Sequence, residues 1–212
     1  MTRIAVLGTG AVGAALAGAL ARAGHTVTAG SRDPARRAPG WGVPVPLAGL
    51  AEAAEGADVV VNATPGHESV DLLRPLAPQL AGSVLVDVAN AVRTGADGFA
   101  SALCYPGSSL AEQLQRALPG TRVVKTLNTI GPAEAMAAPD TFATPPSAFV
   151  SGDDDAARAE VAALLVDLGW RPEWVVDLGG LATARVTEAF VLLVRPLVRA
   201  LGPVPFGLAV AR

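Results

Sequence analysis

The sequence predicts an α/β fold, a doubly wound parallel sheet with a short helical extension toward the C-terminus. Three observations carry this expectation. Apolar runs of strand length alternate with stretches whose apolar residues recur at helical spacing, the pattern of parallel strands joined by crossover helices. The first strand and helix are joined by a G-x-G-x-x-G turn. The chain is 51% hydrophobic and rich in alanine, valine and leucine, which suits a sheet covered by packed helices.

Ile4-Ala5-Val6-Leu7 is the unbroken apolar run expected of a strand buried on both faces. Gly8, Thr9, Gly10, Ala11, Val12 and Gly13 follow, and Leu16, Ala19, Leu20 and Ala23 then recur at helical spacing. Strand, glycine turn and helix together are the fingerprint of a Rossmann-type dinucleotide-binding unit. Gly8 allows the tight turn, Gly10 leaves room for a pyrophosphate against the backbone, and Gly13 lets the helix pack on the strand. The helix start at Ala11 and Val12 offers free N–H groups and a positive dipole end to phosphates.

Thr26-Val27-Thr28-Ala29 is the second strand. An NAD-binding chain usually carries Asp or Glu at its end, to accept hydrogen bonds from the ribose 2′-hydroxyl. This chain carries Gly30-Ser31-Arg32. A carboxylate repels a 2′-phosphate, whereas a hydroxyl and a guanidinium bind it, so the pattern points to NADP. Arg36 and Arg37 lie one turn further on; the alternative for this cluster is a solvated basic loop. Asp33 is read as a turn residue or a helix N-cap with Pro34 at the first helical position.

The remaining elements follow in order. A Pro/Gly loop over 39–46 and a short helix over 51–55 precede a third strand at 58–61, which ends in the loop Asn62-Ala63-Thr64-Pro65-Gly66-His67. Residues 70–80 are helical in pattern, bent or shortened by Pro75 and Pro78. Strands at 83–88 and 122–125 flank a helix over 109–118. A sixth strand at 148–150, a helix capped by Gly152 and the three following aspartates and ending at Leu168, a short strand at 174–176 and a last helix over 181–200 complete the chain. Residues 1–178 read as the nucleotide-binding domain and 179–212 as a helix and tail completing the site. Ligands of doubly wound sheets sit outside the carboxyl ends of the strands. The loops 8–13, 31–37, 64–67 and 90–92 therefore face one crevice, joined by 128–131 near the nicotinamide. This makes Thr64, Pro65, His67, Asn90, Asn128 and Ile130 cofactor-binding candidates. His67 reads equally as a partly exposed loop residue.

Net charge is −3, from 16 Lys and Arg against 19 Asp and Glu, which argues against a nucleic-acid or anionic-membrane partner. Cys104 is the one cysteine, so neither an intrachain disulfide nor a cysteine metal site is available. No spacing of histidines suggests a metal. A strand beginning at residue 3 leaves no room for a signal peptide, and Arg195 and Pro196 interrupt the best transmembrane candidate, so a cytoplasmic protein is expected.

The glycine loop, Gly30-Ser31-Arg32, Val124-Lys125-Thr126-Leu127-Asn128-Thr129-Ile130, the Gly152-Asp153-Asp154-Asp155 run and the segment 179–188 resemble the deazaflavin-dependent NADP oxidoreductases over nearly the whole chain. The resemblance implies a hydride transfer between an 8-hydroxy-5-deazaflavin coenzyme and NADP. It implies that Thr9, Ser31, Arg32 and Arg36 contact the adenosine phosphate side, Arg36 standing where the family carries lysine. Asn128-Thr129-Ile130 matches a loop beside the nicotinamide and deazaflavin. There the deazaflavin enzymes carry His-Thr-Ile, and the ferric-reductase-like relatives carry asparagine. Phe206-Gly207-Leu208 resembles a tail packed on the deazaflavin ring, so Asn128, Ile130, Phe206 and Leu208 are the substrate-binding candidates.

Hydride transfer between two held rings needs no side-chain nucleophile, and no catalytic residue is expected. Asp87 at a strand end reads as a hydrogen-bonding partner of a neighbouring loop rather than a proton carrier. Arg185 and Glu188 are expected to pair on the last helix or across a subunit contact, and His25 to be a surface or capping residue. Trp170 and Trp174 read as packing. The apolar face of the last helix, from Val186 to Val198, suggests a homodimer; its alternative is packing on its own sheet. The partner is a small redox acceptor: a deazaflavin or, alternatively, a flavin, a ferric chelate or an imine. A non-enzymatic NADP-binding redox sensor is the remaining alternative.

Overall fold

Ile4 and Val6 pack into one hydrophobic cluster, Ala5 and Leu7 into another, and all four are buried. Val59 and Val61 against Val60, and Val84 and Val86 against Leu85, divide in the same way. Side chains alternate along a strand, so two separate clusters mean a sheet covered on both faces.

The computed structural model describes residues 1–131 and 133–210. In chain order the elements are β1 (Arg3–Leu7), α1 (Ala11–Arg22), β2 (Thr26–Ser31), α2 (Pro34–Arg37), β3 (Leu47–Gly49), α3 (Leu50–Ala54), β4 (Val59–Asn62), α4 (Ser69–Leu73), α5 (Ala77–Leu80), β5 (Val84–Asp87), β6 (Val92–Thr94), β7 (Ala100–Leu103), α6 (Leu110–Ala117), β8 (Arg122–Lys125), β9 (Ile130–Gly131), α7 (Ala133–Met136), β10 (Ala148–Gly152), α8 (Asp155–Asp167), β11 (Val175–Asp177), α9 (Ala184–Ala189), α10 (Val191–Leu201) and β12 (Phe206–Gly207).

Eight strands form one sheet in the order β11-β10-β8-β5-β4-β1-β2-β3. From β3 to β8 the pairing is parallel, with Leu7 opposite Gly30 and Asn62, and Asn62 opposite Asp87. The carboxyl ends of β1, β2, β4, β5 and β8 therefore come to one edge of the sheet. α1, α7 and α8 cover one face, and α3 to α6 with α9 the other. Leu16 and Leu20 of α1 are fully buried, each contributing about 1.5–3 kcal/mol of transfer free energy. This is a Rossmann-type α/β fold with a helical C-terminal segment.

One departure from the expected all-parallel sheet is the direction of β10. It pairs antiparallel with β8, Ser151 opposite Lys125 and Gly152 opposite Val124, and β11 follows β10 in parallel. A parallel return needs a crossover of a dozen or more residues, usually a helix. Between Lys125 and Ala148 the described residues form the short β9, the four-residue α7 and a 3-10 turn, with no crossover helix among them, so β10 starts at the carboxyl edge and runs back from it.

Other differences are local. The expected helix over 70–80 is split into α4 and α5 by a 3-10 turn that contains Pro75. The last helix breaks into α9 and α10 at Phe190. A hairpin of β6 and β7 occupies a stretch to which the sequence reading assigns no element, and Asp97 at its tip meets Arg195 of α10 at 2.6 Å. The predicted caps are present: Asp33 accepts from the Arg36 amide at 3.0 Å and Asp154 from the Ala157 amide at 2.7 Å. Trp170 is buried and donates to the Met136 carbonyl at 3.0 Å, consistent with packing.

Candidate functional site

The turn between β1 and α1 is held too tightly for side chains at two of its glycines. Gly8 has φ +118°, and a Cβ there would lie 2.3 Å from the Ala63 carbonyl oxygen. A Cβ on Gly13 would lie 1.9 Å from the Gly8 carbonyl oxygen, so α1 can approach β1 only as glycine. Gly10 is different: apart from its own stretch of chain, no described atom lies within 4 Å of its hypothetical Cβ. It is the N-cap of α1, and no side chain caps the first-turn N–H groups. A helix start with uncapped donors facing open space is an anion site by construction.

This space is a cleft of about 840 Å³ lined by Gly8, Thr9, Gly10, Ala11 and Val12 on one side, Gly30, Ser31, Arg32, Asp33, Arg36 and Arg37 on another, and Ala63, Thr64, Pro65, Leu50 and Leu72 on the third. Three arginines converge on it. Arg37 donates through Nε and Nη2 to the Thr9 carbonyl at 3.3 and 3.2 Å, and its guanidinium lies 5.3 Å from the centre of the Trp41 ring. Arg32 Nη1 meets Glu68 Oε2 at 2.8 Å across the opening. Among the described residues no carboxylate lies within ion-pair distance of the Arg36 side chain. The Ser31 hydroxyl accepts from the Asp33 amide at 3.2 Å.

Behind the cleft the carboxyl ends of β4, β5 and β8 share a buried polar network. Asn62 donates to Asp87 Oδ1 at 2.9 Å and accepts from the Thr64 amide and hydroxyl at 3.2 and 2.6 Å. Lys125 is buried between Asp87 Oδ2 at 2.8 Å and Glu188 Oε1 at 2.9 Å, and donates to the Ala89 carbonyl. Burial by itself pulls the Lys125 ammonium down, but Asp87 and Glu188 more than reverse it and hold it above the usual lysine range. Burial pushes the Glu188 carboxyl above the usual carboxylate range, with Lys125 opposing. Beyond Ala89, the Asn90 amide donates to the Asn128 carbonyl at 2.9 Å and accepts from Asn128 Nδ2 at 3.0 Å. Leu127, between the network and this amide pair, has φ +59°, the one positive φ outside glycine among the described residues. Such a conformation costs on the order of 1–3 kcal/mol and persists only where its surroundings impose it.

The C-terminal tail returns to this end of the sheet. β12 pairs antiparallel with β9, Phe206 opposite Gly131 and Gly207 opposite Ile130. The Ser147 amide donates to the Leu208 carbonyl at 2.8 Å, and the Phe206 ring meets Phe190 edge-on at 6.4 Å. Packing admits only glycine at 207, where a Cβ would lie 2.7 Å from Pro146 Cβ.

The cleft thus gathers Gly8, Thr9, Gly10, Ala11, Val12, Ser31, Arg32, Arg36, Thr64 and Pro65 among the sequence candidates. Gly13 lies under the turn instead of in the cleft wall. His67 stands at the rim, its side chain 58% exposed and 3.5 Å from Glu68. Asn90, Asn128, Ile130, Phe206 and Leu208 form a second group beside the cleft, linked by the amide pair and the β9–β12 pairing. Arg37, Leu50 and Leu72 also line the cleft, outside the residues that the sequence marks as candidates. Trp41 after Arg37 is the signal that a stacked guanidinium is held in place there. Gly66 was also missed: a Cβ on it would lie 2.2 Å from the Asn90 carbonyl oxygen, which brings the two loops into contact.

One expectation is corrected, and for His25 the structure decides between two alternatives. Arg185 and Glu188 do not pair. Arg185 meets Glu112 at 2.6 Å, while Glu188 is buried against Lys125 and accepts the Leu110 amide at 2.8 Å, because α9 packs on the start of α6 instead of on a free surface. The His25 side chain is 7% exposed, with Nε2 3.3 Å from Asp167; the capping bond is made by its backbone amide, to the Leu20 carbonyl. Among the described residues no group of three potential ligands could hold a metal ion, and no helix is long and apolar enough to cross a membrane.

The donor set fits a phosphorylated dinucleotide: uncapped helix N–H groups, an open Gly10 and converging guanidinium groups. Comparison with known proteins agrees. Residues 3–91 match the family described as NADP oxidoreductase, coenzyme F420-dependent. A solved structure of a candidate F420-dependent NADP reductase from Arthrobacter sp. FB24 is 43% identical, covers 100% of both chains and superimposes with a TM-score of 0.93. A hypothetical protein from Sinorhizobium meliloti is 32% identical over 87% of this chain and 88% of its own, with a TM-score of 0.68. The metalloreductase STEAP3 of Rattus norvegicus is 30% identical over 194 residues; the match takes in 92% of this chain but only 37% of that protein. An imine reductase from Streptomyces aurantiacus, 18% identical over 92% of this chain and 61% of its own with a TM-score of 0.66, shares the fold. The chain is an NADP-dependent oxidoreductase and belongs to the coenzyme F420-dependent NADP oxidoreductase family.

Proposed function

We propose that this protein passes a hydride between NADP(H) and a deazaflavin coenzyme. The observation that carries the reading is the pairing of β12 with β9, which sets an apolar tail, Phe206 to Leu208, directly against the Asn128–Ile130 loop. A planar ring needs an apolar slot with few polar anchors, and the tail and loop supply that wall.

In this reading the Gly8–Gly13 turn receives the pyrophosphate, with the α1 N–H groups as donors. Ser31, Arg32 and Arg36 take the 2′-phosphate, and Arg37 braces the turn through the Thr9 carbonyl. His67 borders the adenosine half, and Thr64 and Pro65 the nicotinamide side of the pyrophosphate. Asn90, Asn128 and Ile130 flank the nicotinamide, and Asn128, Ile130, Phe206 and Leu208 the acceptor. NADP supplies the hydride chemistry when bound. The chain's work is to hold the two rings in line and keep water away, and no side chain is asked to exchange a proton. The Asn128 amide, locked to Asn90, orients but does not titrate. Residues 179–212 complete the acceptor side of a nucleotide-binding unit formed by residues 1–178, in a cytoplasmic protein without nucleic-acid or membrane partners.

The same reading includes a homodimer. No residue of α10 is buried, and Leu193 and Leu201 of α10 and Val186 of α9 are 46%, 60% and 74% exposed, an apolar surface that a second copy would cover. A monomeric mass by light scattering at micromolar concentration rejects it.

The test of the main reading is spectroscopic. Mixed with NADPH and a deazaflavin, the protein should consume the long-wavelength nicotinamide absorbance. Turnover with a free flavin, a ferric chelate or an imine, and none with the deazaflavin, replaces the acceptor; no turnover with any favours a redox sensor.

A further inference from the structure

Lys125 ends β8, Asp87 ends β5 and Asn62 ends β4, and the three side chains form one buried chain of contacts. A fourth member arrives from far along the sequence. Glu188 of α9 binds the Lys125 ammonium with Oε1 and accepts the α6 amides of Leu110 and Ala111 at 2.8 and 3.3 Å. One ammonium between two carboxylates, all less than 5% exposed, is expensive to bury, and well-packed apolar residues at such positions are often as stable or more so. Its place in the sheet says what this arrangement does that apolar packing would not.

From Lys125, Asp87 and Asn62 a branch reaches a turn of the proposed site. Lys125 donates to the carbonyl of Ala89, next to Asn90, which is bonded to Asn128. Asp87 receives the Ala89 amide at 3.2 Å and the Asn62 amide at 2.9 Å. Asn62 in turn receives the amide and hydroxyl of Thr64, which lines the cleft beside Pro65. Through Glu188 the same ammonium holds α9, which leads through α10 into the tail strand.

We propose that Lys125, Asp87 and Glu188 are positioning residues for the nicotinamide half of the site: without touching coenzyme or acceptor, they set the Thr64–Pro65 and Ala89–Asn90 turns and the Asn128 loop relative to one another and tie the C-terminal segment to them. The inference rests on the reading that those turns flank the nicotinamide. The adenosine half, built on Gly10, Ser31, Arg32 and Arg36, lies outside the network, so the two halves should respond differently to its loss.

The test uses the double variant Lys125→Met/Glu188→Gln, which leaves the formal charge of the cluster unchanged, with Glu188→Gln alone and Lys125→Arg as companions. Dissociation constants for NADP⁺, fluorescence of bound NADPH, melting temperature and turnover of NADPH with a deazaflavin are measured on the full chain. In the double variant NADP⁺ affinity should hold, the fluorescence of the bound nicotinamide should move toward that of free NADPH, and kcat should fall by roughly tenfold or more, as a slight misplacement of reacting groups does. Glu188→Gln should do the same to a smaller extent, and Lys125→Arg should recover part of kcat. Wild-type fluorescence and kcat in the double variant overturn the proposal, as does a loss of NADP⁺ affinity that tracks melting temperature. If the double variant does not fold, Glu188→Gln decides by the same criteria. If the wild-type protein does not reduce the deazaflavin, the acceptor reading fails, and the fluorescence arm decides this one alone.

Discussion

Arg32 and Glu68 face each other across the mouth of the cleft, with Nη1 2.8 Å from Oε2. The two come from opposite walls, the loop after β2 and the start of α4. Glu68 holds the guanidinium proposed for the 2′-phosphate, so the phosphate must displace a carboxylate. Both side chains are more than a third exposed, and such a pair is worth about 0–1 kcal/mol. Glu68→Gln should therefore tighten NADP⁺ binding by up to about fivefold and leave NAD⁺ unchanged in calorimetry. Arg32→Ala should cost NADP⁺ about 1.5–3 kcal/mol, the worth of a hydrogen bond to a charged group, with little effect on NAD⁺. Equal losses for both dinucleotides would remove Arg32 from the phosphate site.

Gly10 and Gly13 should part company on substitution. Gly10→Val adds bulk in open space, so the variant should melt close to the parent and fail to bind NADP⁺. Gly13→Ala places a methyl 1.9 Å from a backbone carbonyl and should lower the melting temperature or prevent folding. Unchanged NADP⁺ affinity in the folded Gly10→Val protein would show that the turn is not the phosphate site.

Truncation after Gly202 deletes β12 and its bonds to β9 and Ser147, while no residue of the cleft is removed. NADP⁺ affinity should stay near the parent value and turnover with a deazaflavin should vanish. A truncated protein working at the full rate would take the tail out of the acceptor site.

Acid should loosen the junction of α6 and α9. Arg185, with the Ser108 and Ser109 hydroxyls helping against burial, holds the Glu112 carboxyl down at about 2. A carboxyl depressed in the folded state adds stability above its unfolded value, and this is lost as pH falls through the folded value. The contribution should be complete above about pH 4.5 and disappear toward pH 2. Melting curves of Glu112→Gln should lack that part of the parent's acid dependence. An identical pH profile for the two would show that the pair does not stabilise the junction.

Much of this protein is legible without coordinates where local chemistry decides. The Ile4–Leu7 run, the Gly8, Gly10 and Gly13 spacing and the helical recurrence of Leu16 and Leu20 each allow essentially one local structure. The carboxylate missing after β2 and the arginines that follow are legible for the same reason, since they sit within a few residues of the strand that presents them. The caps at Asp33 and Asp154 depend on their own next turn.

What only tertiary structure decided joins residues far apart in the chain. Glu188 finds Lys125 across 63 positions, Arg32 finds Glu68 across 36, and Asn90 finds Asn128 across 38. In the sequence each is a lone polar residue with many conceivable partners, and the nearest candidate, Arg185 for Glu188, was the wrong one. The direction of β10, expected to be parallel, is antiparallel, and the pairing of β12 with β9 has no strand signal of its own, because a strand's own residues specify its pleat but not its neighbour. Sheet order and helix packing choose among the partners, and here they gather the distant charges at one edge of the sheet.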